Sequence, residues 1–198
     1  MGCRLTTAFR GLVDRAQLKP GEWLAIHGCG GVGLSAVMVG SAMGAQVLAV
    51  DVNDEALALA RELGATATLN PRSCGDTGDA VRSLTGGGAH VSIDALGITA
   101  TFHNSIRGLR KLGRHVQIGM PLEEHAMPSI PLLETVYSRQ ISIMGTRGIA
   151  ASRFPALLGM IAAGRLQPSR MITRRIGLSE AGQALAAMNG YGSAGVTV

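Results

Sequence analysis

The chain has 198 residues, 46% hydrophobic and 16% charged, enough for one good core with an appendage and too apolar for intrinsic disorder. Aromatics make up only 3%, so the core must come from Ala, Val, Leu, Ile and Met, which suits a parallel sheet buried on both faces. The net charge of +5 has no aromatic residues interleaved with its densest basic stretch, Arg107, Arg110, Lys111 and Arg114; it reads as a solvated helix end and turn, not a nucleic-acid surface.

Cys3, Cys29 and Cys74 form no CxxC pair, which argues against a disulfide framework and for a reduced, cytoplasmic setting. Met1-Gly2-Cys3-Arg4 leads into a polar segment and does not read as a secretory signal. A leading helix is expected over 4–17, amphipathic from Thr6 to Gln17, and the Pro20-Gly21 turn follows it.

Residues 22–33, Glu-Trp-Leu-Ala-Ile-His-Gly-Cys-Gly-Gly-Val-Gly, read as a strand entering a glycine turn that opens a helix. With Ala49-Val50-Asp51 at the end of the next strand, this is the wiring of a dinucleotide site. Gly28 permits a sharp turn, Gly30 a close approach of backbone to pyrophosphate, and Gly33 close packing of helix on strand. The phosphates would sit on the free N–H groups of the helix start. Asp51, 18 residues after Gly33, is spaced to accept the adenosine ribose hydroxyls, which favours NAD over NADP.

Val32 to Val50 holds 19 residues without a formal charge, long enough on paper for a bilayer. Gly40, Gly44 and Gln46 interrupt it, and the preceding turn makes it a buried helix followed by a buried strand. No membrane partner is expected.

Strands are expected at 23–27, 46–50, 67–70, 90–95, 114–119 and 140–144, with helices at 31–43, 54–63, 77–84, 99–109 and 131–138. Asn53 or Asp54 caps the second of these helices and Gly64 ends it. The alternation predicts an α/β fold: a Rossmann doubly wound six-stranded parallel sheet with helices on both faces. His27 and His115 fall at strand positions and read as satisfied sheet residues. The rhythm then changes to a helix at 152–163, an extended basic segment at 170–177, a helix at 179–188 and an apolar strand at 195–198 that the sheet does not need.

Gly2-Cys3, His27-Gly-Cys-Gly-Gly-Val-Gly33, Ala49-Val-Asp-Val52, Asp94-Ala-Leu-Gly97, Ile118-Gly-Met-Pro121 and Gly145-Thr146 together resemble zinc-type alcohol dehydrogenases of the medium-chain dehydrogenase/reductase family. The resemblance runs along the whole chain and implies that it is the C-terminal, cofactor-binding half of such an enzyme. It implies a Rossmann domain over 1–172 and, at 173–198, an incomplete segment returning to an absent GroES-like catalytic domain. Cys3, 25 residues before Gly28, matches a catalytic zinc ligand of the complete enzyme, whose remaining ligands lie elsewhere.

Residue by residue, the resemblance assigns Gly28, Gly30, Gly31, Val32 and Gly33 to the pyrophosphate turn and Asp51 to the ribose. It assigns Ala95, Leu96 and Gly97 to the wall beside adenosine, Ile118, Gly119 and Met120 to the nicotinamide path, and Thr7 to a nicotinamide-side contact. It implies NAD and zinc as cofactors, a small alcohol, aldehyde or ketone as substrate, and homo-oligomerisation through the strand at 140–144. Two departures stand out. No basic residue follows Asp51 in Val52-Asn53-Asp54-Glu55, and the end, Ser193 to Val198, lacks the charge that supplies a pyrophosphate contact in some members.

Rival readings are a zinc-free quinone or enone reductase of the same superfamily, which Asp51 and Cys3 oppose, and a nucleotide-binding module without catalysis. A methyltransferase loop would carry an acid where His27 stands. Without its companion domain, the chain is expected to leave apolar surface uncovered around Thr6 to Leu12 and the last strand.

Overall fold

A computed structural model describes residues 2–187 and 194–198. The chain opens with α1 (Gly2–Arg10), continued by a π-helical turn at Gly11–Arg15, and then enters β1 (Trp23–His27). Next come α2 (Gly31–Ala42), β2 (Gln46–Val50), α3 (Asp54–Glu62), β3 (Ala67–Leu69), α4 (Thr77–Leu84) and β4 (Ala89–Asp94). They are followed by α5 (Thr99–Arg107), β5 (Leu109–Gln117), β6 (Ser142–Gly145) and α6 (Phe154–Ala162). The described residues form a six-stranded sheet ordered β3-β2-β1-β4-β5-β6 with every pair parallel, the doubly wound Rossmann order.

Alternation along the strands sends side chains to two cores. Leu24, Ile26, Ala49, Val91, Ile93 and Val116 meet α1, α2, α3 and α6 on one face. Ala25, Leu48 and Val50 meet Val81 of α4 and Phe102 and Ile106 of α5 on the other. Helices therefore cover both faces, which is why an almost charge-free stretch such as Val32–Val50 is stable inside a globular fold. Asn53 caps α3, its Oδ1 accepting the N–H groups of Glu55 and Ala56, and Gly64 leaves the helix at φ +109°; such a cap contributes about 1 kcal/mol.

Several expectations shift. The leading helix of 4–17 is α-helical only to Arg10, and Gln17 leaves the π-helical turn at φ +49°. The stretch Thr6–Leu12 is not uncovered: Leu5, Ala8, Phe9 and Leu12 pack into the first core with α2. Arg110, Lys111 and Arg114 lie in β5, which begins at Leu109 and not at 114. Its pairing with β4 jumps from Ala89↔Leu109 to Val91↔Arg114, so the intervening residues bulge, with Leu112 at φ +62°. The helix expected at 131–138 is a π-helical turn, Leu132–Tyr137.

Beyond α6, a 3-10 turn at Pro168–Met171 leads into β7 (Ile172–Arg174), and α7 (Ala181–Ala187) follows. The last position of the helix expected at 179–188, Met188, lies outside the described residues, as does Ser193. The terminal strand β8 (Val196–Thr197) does stand apart from the main sheet, pairing in parallel with β7. No helix among the described residues is long and apolar enough to cross a membrane.

Candidate functional site

The carboxyl ends of β1, β2, β4 and β5 meet the N-terminus of α2. Gly28 sits at φ +94°, a conformation that side chains resist, and donates its N–H to Val50 O at 2.9 Å. Gly30 is the N-cap of α2 with no side chain to cap it, and the first turn carries no acid, so the helix presents bare N–H groups. A Cβ on Gly33 would overlap the Gly28 carbonyl oxygen, whereas one on Gly30 would meet nothing. Gly33 is required for packing, and Gly30 keeps an open approach to the backbone. Val32 lines the neighbouring cleft.

Asp51 caps this turn from β2. Its Oδ2 accepts the Cys29 N–H at 2.6 Å and its Oδ1 the Asn53 N–H at 2.8 Å. These charge-assisted bonds fix the carboxylate's orientation while it stays half-exposed. Burial, followed by the neighbouring Asp51 charge, pushes the Cys29 thiol well above its usual range, so this cysteine is an inert spacer in the turn.

The loops after β4 and β5 touch backbone to backbone. A Cβ on Gly119 would overlap Leu96 C and Gly97 N, and one on Gly97, at φ +89°, would meet Met120 O at 2.7 Å. Ala95, Leu96 and Gly97 are thus brought against Ile118, Gly119 and Met120. The residue that holds them is Asp94, the first residue of the Asp94-Ala-Leu-Gly97 motif. Its fully buried carboxylate accepts the N–H groups of Leu96 (2.9 Å) and Gly97 (3.0 Å), the Thr101 hydroxyl (2.9 Å) and the Gln117 amide (2.9 Å). Gln117 Nε2 also donates to Gly119 O at 2.8 Å.

That amide is oriented in turn by His115. Burial first lowers the His115 pKa, against the pull of Gln117 and Asp94. The neutral ring completes the network with Nε2 donating to Gln117 Oε1 (3.0 Å) and Nδ1 accepting from Ser105 Oγ (2.8 Å). His115 is therefore satisfied as expected. His27 is not: its buried Nε2 has no partner among the described residues.

Thr7 and Cys3, in α1, face a cleft of about 850 Å³ shared with Val32, Ile118, Gly119 and Met120. Thr7 Oγ1 accepts the Gly148 N–H at 3.2 Å and lies 3.4 Å from Cys3 Sγ. The exposed Cys3 thiol is one potential ligand, but no three His, Cys, Asp or Glu residues converge into a metal-holding group among the described residues. A tightly held zinc needs at least three protein ligands, so these residues by themselves do not fit one. The dinucleotide fits better: an open glycine cradle, a bare helix start and a fixed acid stand together at the strand ends.

Strand order and glycine turn define a Rossmann-type α/β protein. A family model described as zinc-binding dehydrogenase matches residues 31–163, and the chain belongs to that family, the one its motifs resemble. It is 40% identical over 132 residues to an alcohol dehydrogenase of Geobacillus stearothermophilus, covering 65% of this chain and 38% of that protein. With geraniol dehydrogenase of Castellaniella defragrans it shares 34% identity over 178 residues, 88% of this chain and 47% of the relative. A solved structure of an NAD-dependent alcohol dehydrogenase superposes with a TM-score of 0.87 at 26% identity, over 100% of this chain and 56% of that one. The chain thus spans half or less of the length of these curated relatives.

Proposed function

We propose that this chain binds NAD at the carboxyl ends of its parallel strands, as the cofactor-binding part of a dehydrogenase that interconverts a small alcohol and its aldehyde or ketone. The observation that carries the reading is the Asp51 carboxylate held by Cys29 and Asn53 N–H groups beside an uncapped, glycine-lined helix start. The family membership and the NAD dependence of a solved relative support it.

In this reading Gly28, Gly30, Gly31, Val32 and Gly33 receive the pyrophosphate and Asp51 the adenosine ribose hydroxyls. Ala95, Leu96 and Gly97 flank adenosine. Ile118, Gly119, Met120 and Thr7 line the nicotinamide end. These residues would hold and orient NAD and shield it from water, and the bound nicotinamide would supply the hydride-accepting chemistry. Residues 1–172 form the Rossmann unit, and 173–198 belong with a GroES-like catalytic domain. Cys3 would contribute one thiol to a zinc site completed by other residues. The protein acts in the reduced cytoplasm, with its three free cysteines unbridged, and self-associates through β6.

Asp51 sets the choice of cofactor. A 2′-phosphate about 4 Å from the carboxylate costs about 4 kcal/mol per pair of like unit charges at an effective dielectric near 20. Even a third of that is about tenfold in affinity. Calorimetry on the chain is expected to give NAD binding, with NADP weaker by at least about tenfold and Asp51→Ser narrowing the gap. A chain that binds neither dinucleotide overturns the reading. Alcohol oxidation by these 198 residues alone would overturn the assignment of the other catalytic groups to a further domain.

A further inference from the structure

Arg4 belongs to the first turn of α1, yet its side chain runs across the start of α2. A Cβ built on Gly31 would meet Arg4 Cδ at 2.5 Å, Nε at 2.8 Å and Cζ at 3.4 Å. A side chain at position 31 would push the guanidinium away from where it lies. For a cation left to itself this is a poor place, because a helix N-terminus carries about half a positive charge of its own. The first turn of α2 offers no acid and no side-chain cap to offset it. The ion pairs of arginines among the described residues are formed by Arg107, Arg114, Arg153 and Arg174, none by Arg4. Asp51, the acid of the turn, is oriented toward the Cys29 and Asn53 N–H groups.

Two positive features converging on one open glycine cradle are complementary to a polyanion, and pyrophosphate is the anion this cradle has been read to take. We propose that Arg4 is the pyrophosphate-binding cation of this chain, its guanidinium acting together with the N–H groups of Gly31, Val32 and Gly33. The inference rests on the dinucleotide reading above and adds to it a residue from α1, outside the strand-turn-helix motif. A planar guanidinium offers paired N–H donors that match two phosphate oxygens, which a lysine ammonium at the same position matches only as a point charge.

The test is calorimetric titration of the full chain with NAD, ADP-ribose and adenosine, the last lacking pyrophosphate. Arg4→Gln is expected to weaken NAD and ADP-ribose by at least about tenfold, the order expected for a hydrogen bond between charged groups. Adenosine affinity should stay within about twofold, because Asp51 and the adenosine wall are untouched. The salt dependence of NAD binding should fall in the same variant, and Arg4→Lys should recover part of the loss. Wild-type chain that binds NAD while Arg4→Gln binds it equally well overturns the role of Arg4 and leaves the dinucleotide reading standing. A parallel loss of adenosine affinity in Arg4→Gln and Arg4→Lys would make Arg4 a structural residue and also overturn it. Wild-type chain that takes neither NAD nor ADP-ribose overturns both readings.

Discussion

His27 ends β1 with its imidazole fully buried, and burial pushes its pKa down to about 4 from the ordinary 6.5, with Asp94 opposing the fall and His115 adding to it. The ring is therefore neutral at pH 7, and its Nε2 lacks a partner among the described residues. Unfolding exposes the ring to water, where it takes up a proton below about pH 6.5. The unfolded chain then binds more protons than the folded one, so this contribution to stability is full above pH 6.5 and drains away as pH falls toward 4. Its size by pH 4 is roughly 3 kcal/mol. His115 and His90, also shifted down, act in the same direction. Urea unfolding of wild type and His27→Leu between pH 7 and pH 4 isolates the His27 share. Wild type is expected to lose roughly 3 kcal/mol more than the variant across that range, and parallel pH profiles would show that the ring is not the cause.

Asp94 turns two strand ends into one element, because its carboxylate ties the loop after β4 to Gln117 of β5 and, through Gln117, to Gly119. Asp94→Ala would strand two backbone N–H groups and one N–H of the Gln117 amide, while the Thr101 hydroxyl keeps Ile98 O as an acceptor. With about 1–3 kcal/mol for each unsatisfied group and partial relaxation, a loss of about 3–5 kcal/mol is expected. Asp94→Asn keeps one oxygen and should lose about half as much. Chemical denaturation checks both, and a loss under about 1 kcal/mol for Asp94→Ala would mean that the loops hold themselves. Nothing local marks Asp94 for this job, since an acid at a strand end reads the same whether it faces solvent or four donors. Gly28, Gly33 and the Asn53 cap were legible because each answers to its immediate neighbours in the chain. The start of β5 was not: Arg110 and Lys111 look like a turn, and only pairing with β4 and the bulge draws them into the sheet. Arg4 was hidden for the same reason, because its contact is with Gly31, a residue 27 positions away across two packed helices.

Across the whole molecule the apolar surface is uneven. The stretch from Thr6 to Leu12, expected to lie open, is sealed against α2, so α1 is part of the core and not a loose lead-in. Exposed apolar side chains are spread over the surface, Met127 and Leu178 foremost, and one group of them lies in and shortly before β6 along the chain. Ile143 is 39% exposed, Leu132 64%, Leu133 68% and Tyr137 75%. Among the described residues β6 has β5 as its one strand partner, while Gly145 O accepts Arg15 Nε at 3.2 Å, so its outer edge has no neighbouring strand. An edge of this kind either finds a partner or invites aggregation, and a two-fold axis lets the same strand and patch satisfy themselves in a second copy. The proposed self-association through β6 follows from this combination of open edge and apolar flank. Sedimentation equilibrium is expected to give twice the chain's mass. Ile143→Lys should shift it toward the monomer by placing like charges together on the shared edge, while Leu178→Lys, at a distant exposed site on the C-terminal segment, should leave it unchanged. A wild-type chain that stays monomeric as its concentration rises would rule out pairing along β6, and dissociation by Leu178→Lys but not Ile143→Lys would move the interface to the C-terminal segment.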